Sequence, residues 1–207
     1  EYRISTGLVL SAALTAGGLI HQISSSPPPR QNGVFVATRL PFKPVTEVRY
    51  PCPSPRHWLE VEFEGFQLGA IYLGVRSEEY PLFLNWLVDL VNRRRLGSFI
   101  LAGDFNWLER GDGGNEEPGM VEELSAAGYA DAWRRLDPTG REYSWTNHNG
   151  TRTRVDYAFL SKRVAGRLAA AWYAHDGREA EVSDHCPLVV DLVRVPVRRF
   201  EILRKRP

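Results

Sequence analysis

"SFILAGDFNW", residues 98–107, is the stretch on which the reading of this chain turns. Its first half, Ser98 to Ala102, is an apolar run of the length of a buried strand. It ends in Gly103, Asp104 and Asn106. Polar side chains placed where a buried strand opens into a loop can face a cleft while the strand holds them still. A carboxylate in such a place must be paired, hydrogen-bonded or bound to a cation, because desolvating it alone is costly.

Two later stretches repeat the design. In "TRVDYAFLS", residues 153–161, Asp156 stands among apolar strand residues. In "EVSDHCPLVVDL", residues 181–192, Ser183, Asp184 and His185 come immediately before a strand. Three aspartates and a histidine at strand edges can meet one another's needs in a single site. Together they offer metal ligands, a group to activate water and a donor for a charged substrate. Cys186 beside His185 also suggests a Cys–His nucleophile, but the acids around it suit a metal better.

The surrounding pattern mixes strands with fewer helices. "GVFVATRLPF", residues 33–42, reads as a strand stopped at Pro41. "HWLEVEFEGFQLGAIYL", residues 57–73, reads as a hairpin turning at Glu64-Gly65. "YPLFLNWLVDLVNRRR", residues 80–95, places Leu82, Phe83, Trp86, Leu87, Leu90 and Val91 at helical spacing. "LERGDGGNEEPG", residues 108–119, reads as a surface loop, and "MVEELSAAGYADAW", residues 120–133, as a helix closed by Gly128. "EYSWTN", "TRVDYAFLS", "RLAAAWYA" and "PLVVDLV" are four further short strands. Strands outnumber helices and several are sequence neighbours, which predicts two packed mixed sheets with helices outside.

The run Leu8–Ile20, "LVLSAALTAGGLI", is too short to span a bilayer. It is expected to be a buried helix, capped by Ser5 or Thr6 and ended by Gly17-Gly18. No other segment reads as transmembrane, so the chain is expected to be soluble. Its 207 residues suffice for one domain with a substantial core. The net charge of +1 supplies no global pull toward nucleic acid, and two cysteines do not make a disulfide framework.

Taken together and in order, "GDFN", "RVDY" and "SDHCPL" resemble the endonuclease/exonuclease/phosphatase superfamily, which includes deoxyribonuclease I-like and exonuclease III-like enzymes. "NGVFVATRLPF" and "YSWTN" are similar to two further stretches of that family. The resemblance runs from the first residue to about Val193, which gives one domain over residues 1–193 and a basic tail over 194–207. It implies an α/β fold, a four-layer αββα sandwich with the active site at one end of the sheets. It also implies Mg²⁺ (or Mn²⁺) and hydrolysis of phosphodiesters or phosphomonoesters. The partner is then nucleic acid or another phosphoester. A nuclease is the first reading, a phosphatase of lipid headgroups or small phosphoesters the second. A binding module that merely keeps the fold has no need for so many polar groups in one cleft.

The family pattern carries over residue by residue. Asp104 would activate or orient the attacking water, and Asn106 would bond that water or a phosphate oxygen. His185 would stabilise charge on the phosphoryl group, Asp156 would fix the His185 ring, and Asp184 would help hold the metal. Tyr72 would touch phosphate. The family's Tyr-x-Pro-Asn is here "AIYLGVRSEE", which keeps Tyr72 but lacks Pro-Asn, so Arg76 is expected to replace part of it. Glu1 matches the family's metal-binding Glu, which makes the chain look truncated, with the strand that carries the family's first Asn missing. Trp145 and Arg154, in the loop-prone "SWTNHNGTRTR", are expected at the substrate.

Overall fold

The structure, a computed structural model, describes residues 2–46, 49–74, 80–106, 120–179 and 183–194. Glu1, Arg76, the loop over 108–119 and nearly all of the basic tail therefore lie outside the described residues.

The chain begins with helix α1 (Gly7–Ala16) and strands β1 (His21–Ser24), β2 (Phe35–Thr38) and β3 (Lys43–Pro44). Then come β4 (Trp58–Phe63), β5 (Phe66–Tyr72), α2 (Tyr80–Arg94) and β6 (Phe99–Asp104). After these follow α3 (Met120–Ala126), β7 (Ala130–Asp131), α4 (Ala132–Leu136), β8 (Trp145–Thr146) and β9 (Arg152–Thr153). The last elements are β10 (Asp156–Leu160), α5 (Lys162–Ala165), β11 (Leu168–Tyr173), α6 (Asp176–Glu179) and β12 (Leu188–Leu192).

Six strands form a central mixed sheet in the order β3-β4-β5-β6-β10-β7. The expected hairpin is β4–β5, with Gly65 at φ +92° in its turn. β5 and β6 run parallel because α2 carries the chain back across the sheet; the other pairs are antiparallel. Strand alternation then sorts the side chains. Phe99, Leu101, Tyr157 and Phe159 bury one face against Phe83, Leu87, Leu90 and Val91 of α2 and Leu124 of α3. Ile100, Ala102, Ala158 and Leu160 point the other way, toward Leu188, Val190 and Leu192 of β12. The β1–β2 ladder covers that second face elsewhere, where Val36 meets Val61 and Phe63. Among the described residues the second layer is thus two separate two-stranded ladders, β1–β2 and β11–β12, on one face of a six-stranded sheet.

Two expectations about helices change. α1 forms where the sequence placed it, but Leu8 is 88% and Val9 77% exposed, so the helix is not buried. Its sequence is apolar on all sides and defines no single inward stripe. It is held largely by polar contacts: Gln22 receives the Ser11 hydroxyl, and its amide nitrogen, with two hydrogens to give, lies within hydrogen-bond distance of the Ser11, Thr15 and Leu19 oxygens. Thr6 stands at the N-cap without making a side-chain cap. In α2, Leu82 is 66% exposed, because it is rotated about 100° from its buried neighbour Phe83. No helix among the described residues is long and apolar enough to cross a membrane.

Candidate active site

The sheet register assembles the site. Asp104, the last residue of β6, lies opposite Tyr72 in the parallel β5 ladder and opposite Asp156 in the antiparallel β10 ladder. Tyr72, Asp104 and Asp156 therefore form one row at one end of the sheet, on the face that carries β12. Gly103 makes the approach possible. Its φ is +144°, and a Cβ there would collide with the Ile71 carbonyl oxygen. That is why glycine precedes the aspartate.

Asp104 is buried, and its carboxylate is knitted into the turn that follows. Asn106, in the left-handed region at φ 44°, donates its backbone N–H to Asp104 Oδ1 (2.7 Å) and its side-chain amide to Asp104 Oδ2 (3.0 Å). The same amide donates to the Leu73 carbonyl at 2.6 Å. An amide nitrogen already spent on two acceptors has no hydrogen left for a phosphate oxygen. Of the two uses expected for Asn106, its carbonyl oxygen suits the one toward water.

His185 reaches this row from the loop before β12. Its Nδ1 is 2.8 Å from Asp156 Oδ2, which is the reach expected from sequence. Burial works to lower the ring's affinity for a proton, but the hydrogen bond to Asp156 and the charges of Asp156, Asp104 and Asp184 outweigh it. The ring is held above its ordinary value. Asp104, Asp156 and His185 each present a ligand atom, and all three atoms lie within 4.8 Å of one another. Two carboxylates this close repel unless a cation or proton stands between them, so the donor set suits a hard divalent ion.

The remaining candidates divide. Trp145 lines the cleft, pairs with His185 in an isolated β-bridge, and donates its indole N–H to Asp184 Oδ2 at 3.0 Å. Asp184, expected as a metal ligand, is exposed, engaged by Trp145 and outside the three-residue cluster. Tyr72 is half-buried; its ring stacks on His57 and its hydroxyl accepts from Asn32 at 3.2 Å. Arg154, expected at the substrate, does not line the cleft. It is fully buried, with its guanidinium 2.5 Å from Asp131 and over the rings of Tyr157 and Trp133. Asp131 also caps α4 through the Trp133 and Arg134 amides, so Arg154 is part of the core. The alternation that aims Asp156 at the cleft does not extend to Arg154, which precedes β10.

Sequence reasoning passed over Ser144. Its buried hydroxyl oxygen accepts from the backbone N–H of Val155 and of Asp156, both at 2.9 Å, and its carbonyl accepts from Cys186 N–H at 2.6 Å. Tyr173 was missed as well. Burial pushes its phenol up, so it stays a donor, and it donates to the Asp156 carbonyl at 2.6 Å. Ser144 lies in the family-like stretch "YSWTN", but nothing local marks the role of either residue, since both act on backbone that folding brings near. The cleft measures about 980 Å³ and is bounded by Asp104, Asn106, Trp145, Asp156 and the 183–188 segment.

The family model described as the Endonuclease/Exonuclease/phosphatase family matches residues 4–185, and the chain belongs to that family. A comparison with curated protein sequences gives no significant match. Among solved structures, the chain is similar to a 3′ phosphatase from Neisseria bound to product DNA hairpin. The TM-score is 0.77 at 20% identity, over 89% of this chain and 83% of that one. It is also similar to a 3′-5′ exonuclease from Neisseria meningitidis (TM-score 0.76, 22% identity, 89% and 83% covered). An AP endonuclease from Archaeoglobus fulgidus gives a TM-score of 0.71 at 20% identity, with 88% and 82% covered. These likenesses show the fold, a mixed α/β architecture shared with these enzymes.

Proposed function

We propose that this member of the endonuclease/exonuclease/phosphatase family is a divalent-cation-dependent nuclease that hydrolyses phosphoester bonds of DNA. The observation that carries it is the row Tyr72–Asp104–Asp156 with His185 docked 2.8 Å from Asp156. Hydrolysis of a phosphoester needs a water aimed at phosphorus and a way to stabilise negative charge on the phosphoryl oxygens. Asp104 orients the water and takes its proton, and the Asn106 carbonyl oxygen accepts the water's other hydrogen. Asp156 fixes the His185 ring and favours its protonated form, which faces developing phosphoryl charge. The Tyr72 hydroxyl, in the same row, contacts phosphate.

Mg²⁺ (or Mn²⁺) fits the donor set, and among the described residues the carboxylates of Asp104 and Asp156 would hold it. When bound, it adds positive charge at the phosphoryl oxygens. Glu1 completes the ligand set in this reading, and Asp184, held by Trp145, stands beside it. The DNA assignment draws on the similar structures, whose names describe a 3′ phosphatase with product DNA, an exonuclease and an AP endonuclease.

A substrate panel with Mg²⁺ and with EDTA tests the reading: plasmid DNA, duplex with an abasic site, 3′-phosphorylated hairpin, RNA, phosphoinositides and sphingomyelin. Cleavage of a DNA substrate that EDTA abolishes is the expected result. Turnover confined to the lipids would replace the nuclease by a headgroup phosphatase. Cleavage indifferent to EDTA would overturn the metal.

A further inference from the structure

A line of three side chains leads away from the cleft, behind His185. Cys186 Sγ lies 3.0 Å from His175 Nδ1, and His175 Nε2 lies 3.1 Å from Glu142 Oε1. The arrangement resembles a nucleophile with its base and orienter, but the thiol is 2% exposed and packs with Trp133 and Tyr173. A sulfur so enclosed holds a position.

We propose that His175 and Glu142 are positioning residues: a latch that grips Cys186 and thereby sets the pose of His185 against Asp156. His185 and Cys186 are consecutive, one lining the cleft and bonded to Asp156, the other gripped by His175. Fixing the Cys186 side chain therefore fixes the backbone that aims the His185 ring. The Cys186 N–H is held by the Ser144 carbonyl, which pins one point of that backbone. The Thr146 N–H on the Asp184 carbonyl and the Ala174 N–H on the Pro187 carbonyl hold that backbone on either side, and the His175 contact adds the side-chain anchor that sets its fine pose at Cys186.

The far end of the latch returns to the same place. Glu142 Oε1 also accepts the Tyr143 N–H at 2.9 Å, and Ser144, one residue on, holds the Val155 and Asp156 amides. Both members of the Asp156–His185 pair are thus referenced to the single segment 142–144. The Tyr143 ring, 4.9 Å from the His175 ring and under the Arg152 guanidinium, covers His175 from one side. An error of about 1 Å in a catalytic group can cost about 10²-fold in rate, so a latch of this kind has a function even though it touches no substrate.

The latch rests on the reading that His185 is catalytic, so the experiment carries a separate arm for that. Hydrolysis of bis(4-nitrophenyl) phosphate with saturating Mn²⁺ is measured for the parent, His185→Ala, His175→Phe, Cys186→Ala, Glu142→Ala and Glu142→Gln. A double variant combining His175→Phe with Cys186→Ala completes the set. Rates are expressed per folded molecule. His175→Phe and Cys186→Ala should each lower kcat about 10-fold with KM within about twofold, and the double variant should lose no more than the worse single one. Glu142→Ala should fall with them, whereas Glu142→Gln, which keeps an acceptor for His175 Nε2, should stay near the parent. The NMR signal of the His185 Nδ1 proton bonded to Asp156 should broaden in the latch variants and stay sharp in Glu142→Gln. This second readout needs no activity and serves if one variant folds poorly.

An unchanged kcat and an unchanged proton signal in His175→Phe and Glu142→Ala would overturn the latch. So would a double variant whose loss is the product of the single losses. Parental activity in His185→Ala would instead overturn the catalytic reading of His185, while the proton signal still decides whether the latch exists.

Discussion

The two faces of the central sheet are built from the same strands and behave differently. On the helix side, Phe99, Leu101, Tyr157 and Phe159 interdigitate with α2 and α3, and every one of them is at most 1% exposed. On the other side the alternate positions are Ile100, Ala102, Ala158 and Leu160, facing β12; Leu160 is fully buried, while Ile100 and the two small alanines line the cleft. One face is filled along its length; the other is covered by β1–β2 and β11–β12 and left open at the end where Asp104 and Asp156 stand. The site follows from this asymmetry: rigidity comes from the packed face, and access comes from the face where small side chains leave room.

If that division holds, changes on the open face should remove activity without stability, and changes on the packed face the reverse. The largest effect is expected at the cleft. His185→Ala and Asp104→Asn should each slow hydrolysis about 10²–10⁴-fold, as for the loss of one positioned acid–base or charge-stabilising group. Thermal unfolding should barely move. Activity within a few-fold of the parent would dissolve the contrast.

On the packed side, Phe159→Ala should cost about 3–5 kcal/mol of stability by leaving a cavity. The folded fraction should retain parental kcat, as read by denaturant unfolding beside active-site titration. Arg154 gives a sharper version of the same test. Removing its guanidinium by Arg154→Ala leaves Asp131 buried and uncompensated, a loss of about 3–5 kcal/mol for a broken buried pair. A raised KM with unchanged stability would return Arg154 to the substrate.

A smaller effect is expected from pH. In the metal-free protein the His185 ring, in spite of burial, is held above its ordinary 6.5 by the Asp156 hydrogen bond and the charges of Asp156, Asp104 and Asp184. A folded-state value above the unfolded one contributes stability that is complete below about pH 6.5 and fades as pH rises through the raised value. NMR titration of Asp156→Asn should show the His185 midpoint falling. An unmoved midpoint would mean that the pair at 2.8 Å is geometry without energy.

The smallest effect lies on α1. Leu8→Gln, at 88% exposed, should change stability by less than about 0.5 kcal/mol. A loss well beyond that would show that this apolar helix is covered in solution.

Much of the site was legible because its residues sit in short motifs at strand ends. "GDFN", "RVDY" and "SDHCPL" marked Asp104, Asn106, Asp156 and His185, and the hairpin, α2 and β6 followed from periodicity and turn chemistry. Arg154 was misplaced because a buried arginine and a phosphate-binding one look alike in sequence; only Asp131 and the rings around it tell them apart. The family pattern makes Asp184 a metal ligand, and no pattern in the sequence announces that its carboxylate also accepts the Trp145 indole N–H. The roles of Ser144, Tyr173 and His175 carried no signal, since each acts on a partner brought near by folding.

By itself, then, the sequence determined which polar residues stand where apolar strands end or begin, and so which of them rigid strands can hold at a cleft. Those facts are local, set by apolar runs that end in polar groups. The tertiary structure decided which of these residues meet. Tyr72, Asp104 and Asp156 share a row because of strand register, and register depends on pairing between segments far apart in the chain. It also decided that an apolar helix stays exposed and a charged arginine is buried, because burial depends on what packs against a residue as well as on its own polarity.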